Sequence, residues 1–135
     1  MSTKTLHLTL KKKWFDMIKS GGKPEEYREI KPYWITRLVD INHPEEQKGE
    51  NKVIPDNIRF DIENGHDPEL VLRSYFSKIK TFDGVIFRNG YSGGAALTSF
   101  RNPIITIGEG RQEWGAETGK KYFVIKLQPQ PHEET

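Results

Sequence analysis

The feature that most constrains this chain is a switch of hydrophobic period within its first twenty residues. Thr5 to Leu10 alternates strictly, with Leu6, Leu8 and Leu10 on one face and Thr5, His7 and Thr9 on the other, the pattern of a half-buried strand. From Lys12 to Ser20 the period lengthens. Trp14 and Ile18 stand four apart with Phe15 and Met17 beside them, while Lys12, Lys13, Asp16 and Lys19 fall largely elsewhere, which predicts a short amphipathic helix. Gly21 suits a left-handed helix end, and Lys23, placed before Pro24, is biased toward an extended backbone. A chain that turns from strand to helix this early belongs with mixed α and β folds.

The remaining pattern is read the same way. Glu25 to Ile30 is expected to be extended, with Glu26, Arg28 and Ile30 facing one way and Glu25, Tyr27 and Glu29 the other. Pro32 can open a helical turn through Leu38, with Trp34 and Leu38 at i and i+4. Residues 40–66 are polar and acidic with no sustained period, which predicts a long irregular insertion and a candidate lid. Asp67-Pro68-Glu69 is a strong helix start, and Leu72, Tyr75, Phe76 and Ile79 form a helical stripe of about three turns. Four short extended runs follow: Gly84–Arg88, Ala96–Phe100, Ile104–Ile107 and Lys121–Leu127, with Asn89-Gly90 and Asn102-Pro103 among the turn signals. These predict an antiparallel β half. The expected architecture is α+β, mainly β: a small, partly closed β-barrel with two or three helices flanking one opening.

Composition then removes whole classes of function. With 135 residues, one domain is expected over 1–128 and a frayed tail over 129–135, where Pro129 and Pro131 interrupt any pattern. The chain has no cysteine, so disulfides, thiolate zinc sites, iron–sulfur ligation and a cysteine nucleophile are excluded. No apolar run approaches the ~20 residues of a membrane helix, and the opening MSTKTLHLTLKKK lacks the apolar block of a signal peptide, so a cytoplasmic location without membrane contact is expected. The net charge of +2 conceals an uneven distribution: +5 through Arg37, −6 from Leu38 to Glu69, and +3 thereafter. A basic segment beside an acidic one suits a polyanion docking on one face, although chance clustering on a solvated surface produces the same sums. His7, His43, His66 and His132 lack metal-ligand spacing, and Gly108-Glu109-Gly110 lacks the rest of a dinucleotide fingerprint. Neither a metal nor a cofactor is expected.

The residues best placed for chemistry cluster at Gly21–Arg28. Lys23, held extended between Gly22 and Pro24, is a positioned ammonium suited to a phosphate or, if desolvated enough to lose its proton, to nucleophilic or base work. Glu26 and Arg28 share a strand face, so the carboxylate can orient the guanidinium toward a phosphate or base edge. The plain alternative is an exposed strand with an ordinary ion pair. Arg88 and Tyr91 bracket Asn89-Gly90, where Tyr91 can stack a base while Arg88 holds phosphate, or the segment is simply a hairpin turn. Trp114 lies in a loop between two strands, where it either plugs a barrel end or stacks on a ligand. Lys11-Lys12-Lys13 is a solvated helix start or an extension of a phosphate track.

Gly21-Gly22-Lys23-Pro24-Glu25-Glu26-Tyr27-Arg28 matches G-x-K-x-x-E-x-R, and with the IxIGxG…EWG…G…YFVIKL stretch from Ile105 to Leu127 it resembles the ASCH (activating signal cointegrator homology) family, phage and bacterial type. That resemblance implies a PUA-like barrel whose cleft is lined by Lys23, Glu26 and Arg28 and which binds RNA or a modified nucleoside. One branch of the family hydrolyses N-acylated cytidine with the motif lysine as nucleophile, a threonine at the position of Glu26 and a separate glutamate. Other members are ribonucleases. Three readings therefore stand: a binding domain, an amidohydrolase or ribonuclease using Lys23 and Glu26, and a non-catalytic protein-interaction module, each as a monomer or homodimer.

Overall fold

Strand β1 (Thr5–Leu10) forms where the alternation places it, with Leu6, Leu8 and Leu10 buried. The computed structural model of the chain describes residues 4–44, 53–90 and 95–129. Helix α1 (Lys12–Ser20) follows and buries Phe15 and Ile18, and β2 (Glu25–Glu29), α2 (Pro32–Leu38) and β3 (Val39–Ile41) come next. Then come α3 (Val53–Glu63), α4 (Pro68–Ser74), β4 (Ser77–Ile79), β5 (Gly84–Asn89), β6 (Leu97–Arg101), β7 (Ile104–Glu109), a single 3-10 turn at Gln112–Trp114, and β8 (Lys121–Lys126). The fold is mixed α+β. Among the described residues its ladders stop at three separate sheets, ordered β1-β5-β6, β2-β8-β7 and β3-β4.

The four strands of the expected β half pair antiparallel, β5 with β6 and β7 with β8, and the parallel pairing among the described residues involves β1. β1 runs parallel to β5, with Leu6 opposite Val85 and Leu8 opposite Phe87, while β5–β6, β7–β8, β2–β8 and β3–β4 are antiparallel. A parallel partner 79 positions along the chain requires a long crossover, and α1 through β4 supply it. One core joins β1, β5 and β8 to the four helices of the described residues: Leu8, Phe15, Ile18, Ile35, Leu38, Phe87, Phe123 and Ile125 are each almost wholly removed from solvent. Each such side chain stabilises the fold by about 1.5–3 kcal/mol relative to an exposed one.

Three expectations are corrected here. Residues 40–66 are not an irregular insertion. Asp40 and Ile41 complete β3, and Val53–Glu63 is an eleven-residue helix whose Ile54, Ile58 and Ile62 are buried on one stripe, four apart. The polar residues between the isoleucines mask that stripe, and Pro55 is tolerated because it lies in the first turn. The part of the insertion at 45–52 lies outside the described residues, as do 130–135 of the expected tail. Second, the helix begun at Asp67 is shorter than its apolar stripe suggested. Asp67 caps it by accepting from the Leu70 amide at 3.1 Å, but it ends at Ser74; Phe76 adopts φ 57° and Ser77–Ile79 form β4 against β3. Tyr, Phe and Ile are strand-favouring residues, and an available edge at β3 outweighs continuation of the helix. Third, Asn89-Gly90 is not a two-residue hairpin turn: β5 and β6 are joined by residues 90–96, with Asn89 N–H donating to the Ala96 carbonyl at 3.0 Å.

Replacing Ile58 by Ala should lower the unfolding free energy by about 3 kcal/mol, because the side chain is fully buried on α3. Phe60→Ala, at a position 64% exposed on the same helix, should change it by less than about 0.5 kcal/mol. Urea unfolding of the two variants checks this. Two near-neutral results would return the segment to an irregular insertion.

Candidate functional site

The turn after α1 sets up the site. Gly21 takes the left-handed conformation (φ 90°) and its N–H donates to the Ile18 carbonyl at 3.1 Å, while Lys23 N–H donates to the Met17 carbonyl at 3.0 Å. Pro24 then turns the chain into β2, and its carbonyl accepts from the Leu127 amide at 2.9 Å, anchoring the turn to the end of β8. β2 pairs with β8 so that Glu26 lies opposite Ile125 and Arg28 opposite Phe123. Cross-strand partners share a sheet face, and both β8 residues belong to the main core. The motif's carboxylate and guanidinium therefore project toward the interior and not into solvent.

Lys23 is only 1% exposed. Its Nζ lies 2.8 Å from Glu26 Oε1 and also donates to the Glu25 carbonyl. Glu26 Oε2 is 2.8 Å from Arg28 Nη2, which in turn donates to the Thr9 carbonyl on β1 at 3.1 Å. The result is one carboxylate shared by two cations, and Arg28 ties the free edge of β1 to β2 across two sheets. Burial holds the Lys23 ammonium below the ordinary lysine value: desolvation outweighs the opposing pull of the Glu26 charge and hydrogen bond, and Arg28 adds to the lowering. Arg28 Nε is buried and, among the described residues, has no hydrogen-bond partner. An orphan donor beside a shared carboxylate is a group that a ligand can satisfy.

Aromatic rings wall the cations. Lys23 Nζ lies 5.5 Å from the Trp14 ring centroid and 5.2 Å from that of Tyr27, and the Arg28 guanidinium carbon lies 5.0 Å from Trp34. The Tyr27 hydroxyl donates to Glu25 Oε1 at 2.7 Å and accepts from the Arg111 amide at 3.0 Å; burial, with the Glu25 hydrogen bond, pushes its phenol up to about 12. The segment Gly110–Gly115 lies over both walls. A Cβ on Gly110 would meet Tyr27 Cζ at 2.6 Å, and one on Gly115 would meet Trp14 Cζ2 at 3.0 Å. Neither position has room for a larger residue without displacing the ring.

The three motif residues predicted together are thus in direct contact. Arg88 sits one strand away: it lies in register with Thr9, the residue whose carbonyl Arg28 holds, and its Nε donates to the Gly90 carbonyl. Trp114 belongs to the covering segment, where its ring faces the Arg111 guanidinium at 5.0 Å. Tyr91 lies outside the described residues. Lys12 is engaged by Asp16 at 2.6 Å and Lys13 lies over Trp14. Trp14, Tyr27 and Trp34 were missed as wall residues because their spacing reads equally well as core, and the Thr9 carbonyl is backbone, which leaves no trace in side-chain chemistry. A cavity of about 570 Å³ between α4, β4 and β7 contains none of the predicted residues. No family model, curated protein or solved structure matches the chain. No helix among the described residues is long and apolar enough to cross a membrane.

The lowered Lys23 value has a measurable consequence. Between its folded value and the ordinary 10.5, the unfolded chain holds more protons at this site, so stability rises with pH through that window. The contribution is fully present above 10.5 and is lost as pH falls through the folded value. Denaturation of wild type and Lys23→Met from pH 8 upward should show wild type gaining on the variant, at no more than about 1.4 kcal/mol per pH unit. A difference that stays flat would mean that Lys23 is not desolvated.

Proposed function

We propose that this chain is an ASCH-type, PUA-like domain that binds RNA or a modified nucleoside at Lys23, Glu26 and Arg28. The observation that carries the reading is the arrangement of Lys23: an almost wholly buried ammonium between two aromatic rings, coupled through Glu26 to an arginine with an unpartnered Nε. The rings offer stacking surfaces to a base, and the two cations offer donors to carbonyl or phosphate oxygens. Arg28 joining β1 to β2 is the contact a partly closed barrel needs at that seam.

The lowered Lys23 value favours a second reading, hydrolysis of an N-acylated cytidine. A neutral Lys23 amine attacks the acyl carbonyl, the cytosine amino group leaves with a proton, and water then releases the acid from the lysine. Glu26, already engaged by two cations, acts there by holding Lys23 in position.

Both readings are tested with one set of proteins. Wild type, Lys23→Ala and Arg28→Ala are titrated with single-stranded RNAs and with cytidine, N-acetylcytidine and their monophosphates, and acyl release is followed in parallel. The expected result is salt-dependent, saturable binding weakened at least about tenfold in both variants. Acyl release lost in Lys23→Ala would assign the hydrolase. Absence of binding across the whole panel, or binding indifferent to Lys23, would overturn the proposal.

A further inference from the structure

At the far end of β2 from Lys23, an open cleft of about 470 Å³ lies between the β2–α2 connection, α3 and the start of β8; its charged lining is Glu29, Lys31, Arg59, Glu63, Lys120 and Lys121. We propose that this cleft is a phosphate-binding site, independent of the Lys23 site and of its reading.

The cations are brought there from three places in the sequence. Glu29 gathers two of them: Lys31 Nζ lies 2.7 Å from its Oε1 and Lys120 Nζ 2.6 Å from its Oε2, so both carboxylate oxygens are engaged. Those hydrogen bonds, that of Lys120 first, hold the Glu29 carboxyl below the usual carboxylate range, and Glu29 in turn raises Lys120. Glu117 Oε2 stands further off, 3.8 Å from Lys120. An ammonium has three donors, and Lys31 spends one on Glu29, leaving others for the cleft.

Arg59 comes from α3. Its Nε is buried and has no hydrogen-bond partner among the described residues, and its side chain lines the cleft. A buried guanidinium donor with nothing to bond costs stability comparable to a lost hydrogen bond, and an oxyanion in the adjoining cleft would satisfy it. Four cations against Glu29 and Glu63 leave the lining at +2, and two glycines, Gly65 and Gly119, keep its rim open. The occupant these features select is a dianion with several oxygens, able to meet a guanidinium fork and an ammonium together. A phosphate group has that charge and shape, whereas a single carboxylate supplies half the charge.

The test is a calorimetric and amide-NMR titration of the full chain with inorganic phosphate at constant ionic strength, repeated with ribose 5-phosphate and with acetate. Saturable one-site binding is expected, with shifts at Lys31, Gly65, Gly119 and Lys121 and no comparable effect of acetate. Arg59→Met keeps the aliphatic stem and should weaken binding at least about tenfold, the loss of one charge-assisted hydrogen bond. Lys121→Met should weaken it too, and decides the matter if Arg59→Met does not fold. Lys78→Ala, an equal loss of charge at the exposed position of β4, should change nothing. Tighter binding of ribose 5-phosphate assigns the site to phosphate monoesters, and equal binding assigns it to free phosphate. Shifts that rise linearly without saturation, that acetate reproduces, or that persist unchanged in folded Arg59→Met and in Lys121→Met would overturn the proposal.

Discussion

The rest of this structure depends on how it accommodates a charged lysine where water is almost absent. Taking an ammonium out of water costs several kcal/mol unless its donors are used, and Lys23 uses them on Glu26 and on the Glu25 carbonyl. Glu26 then carries a buried charge of its own and spends its second oxygen on Arg28. Arg28 passes the obligation on to the Thr9 carbonyl, on the free edge of another sheet. Each partner exists because the previous one could not be left alone, and the last step joins two sheets. The polar chain is thus an architectural tie as well as a candidate site, and replacing any member changes both.

The surrounding apolar structure makes the tie specific. β8 is buried on both faces: Phe123 and Ile125 enter the main core beside Arg28 and Glu26, while Tyr122 and Val124 form a second small cluster with Tyr27 and Ala116. β2 is therefore clamped by its pairing with a strand that cannot shift by one residue without moving each buried side chain to the wrong face. Register fixed in this way places Glu26 inward and Tyr27 outward. It also sets the Gly110–Gly115 segment on the Tyr27 ring, where the Arg111 amide bonds the phenol oxygen. The fold holds Lys23 from one side through charge and covers it from the other through aromatic contact.

How much of this was legible beforehand follows from which forces act locally. β1, α1, β2 and α2 were readable because their periods and terminators, Gly21 and the two prolines, lie within a few residues of the structure they determine. The pairing of Glu26 with Arg28 was legible for the same reason, two residues apart on one strand face, whereas Lys23 was grouped with them through the motif resemblance and not through spacing. Burial of that trio was not legible. It depends on β8, about a hundred residues away, and on the parallel pairing of β1 with β5, neither of which the local pattern contains. Helix α3 was hidden by its own surface, since three isoleucines among polar neighbours look like noise until a partner face is known. Tyr75 to Ile79 failed in the opposite sense, a clean helical stripe overruled by the edge of β3.

Charge shows the same separation between chain and fold. Cut along the sequence, the middle segment is acidic, and Arg59 is one of only three cations in it. In space Arg59 lines a cleft with three lysines and two glutamates. α3 is tethered to the core by its isoleucine stripe, and that packing turns Arg59 toward Lys31 from the basic N-terminal segment and Lys120 and Lys121 from the C-terminal one. Counterions are distributed likewise: Glu29, drawn from the basic segment, neutralises a lysine on either side. The net charge of a stretch of sequence therefore says little about the field it experiences. What governs the field here is hydrophobic burial, which decides the orientation of each helix and leaves the charged residues to meet whatever the core brings beside them.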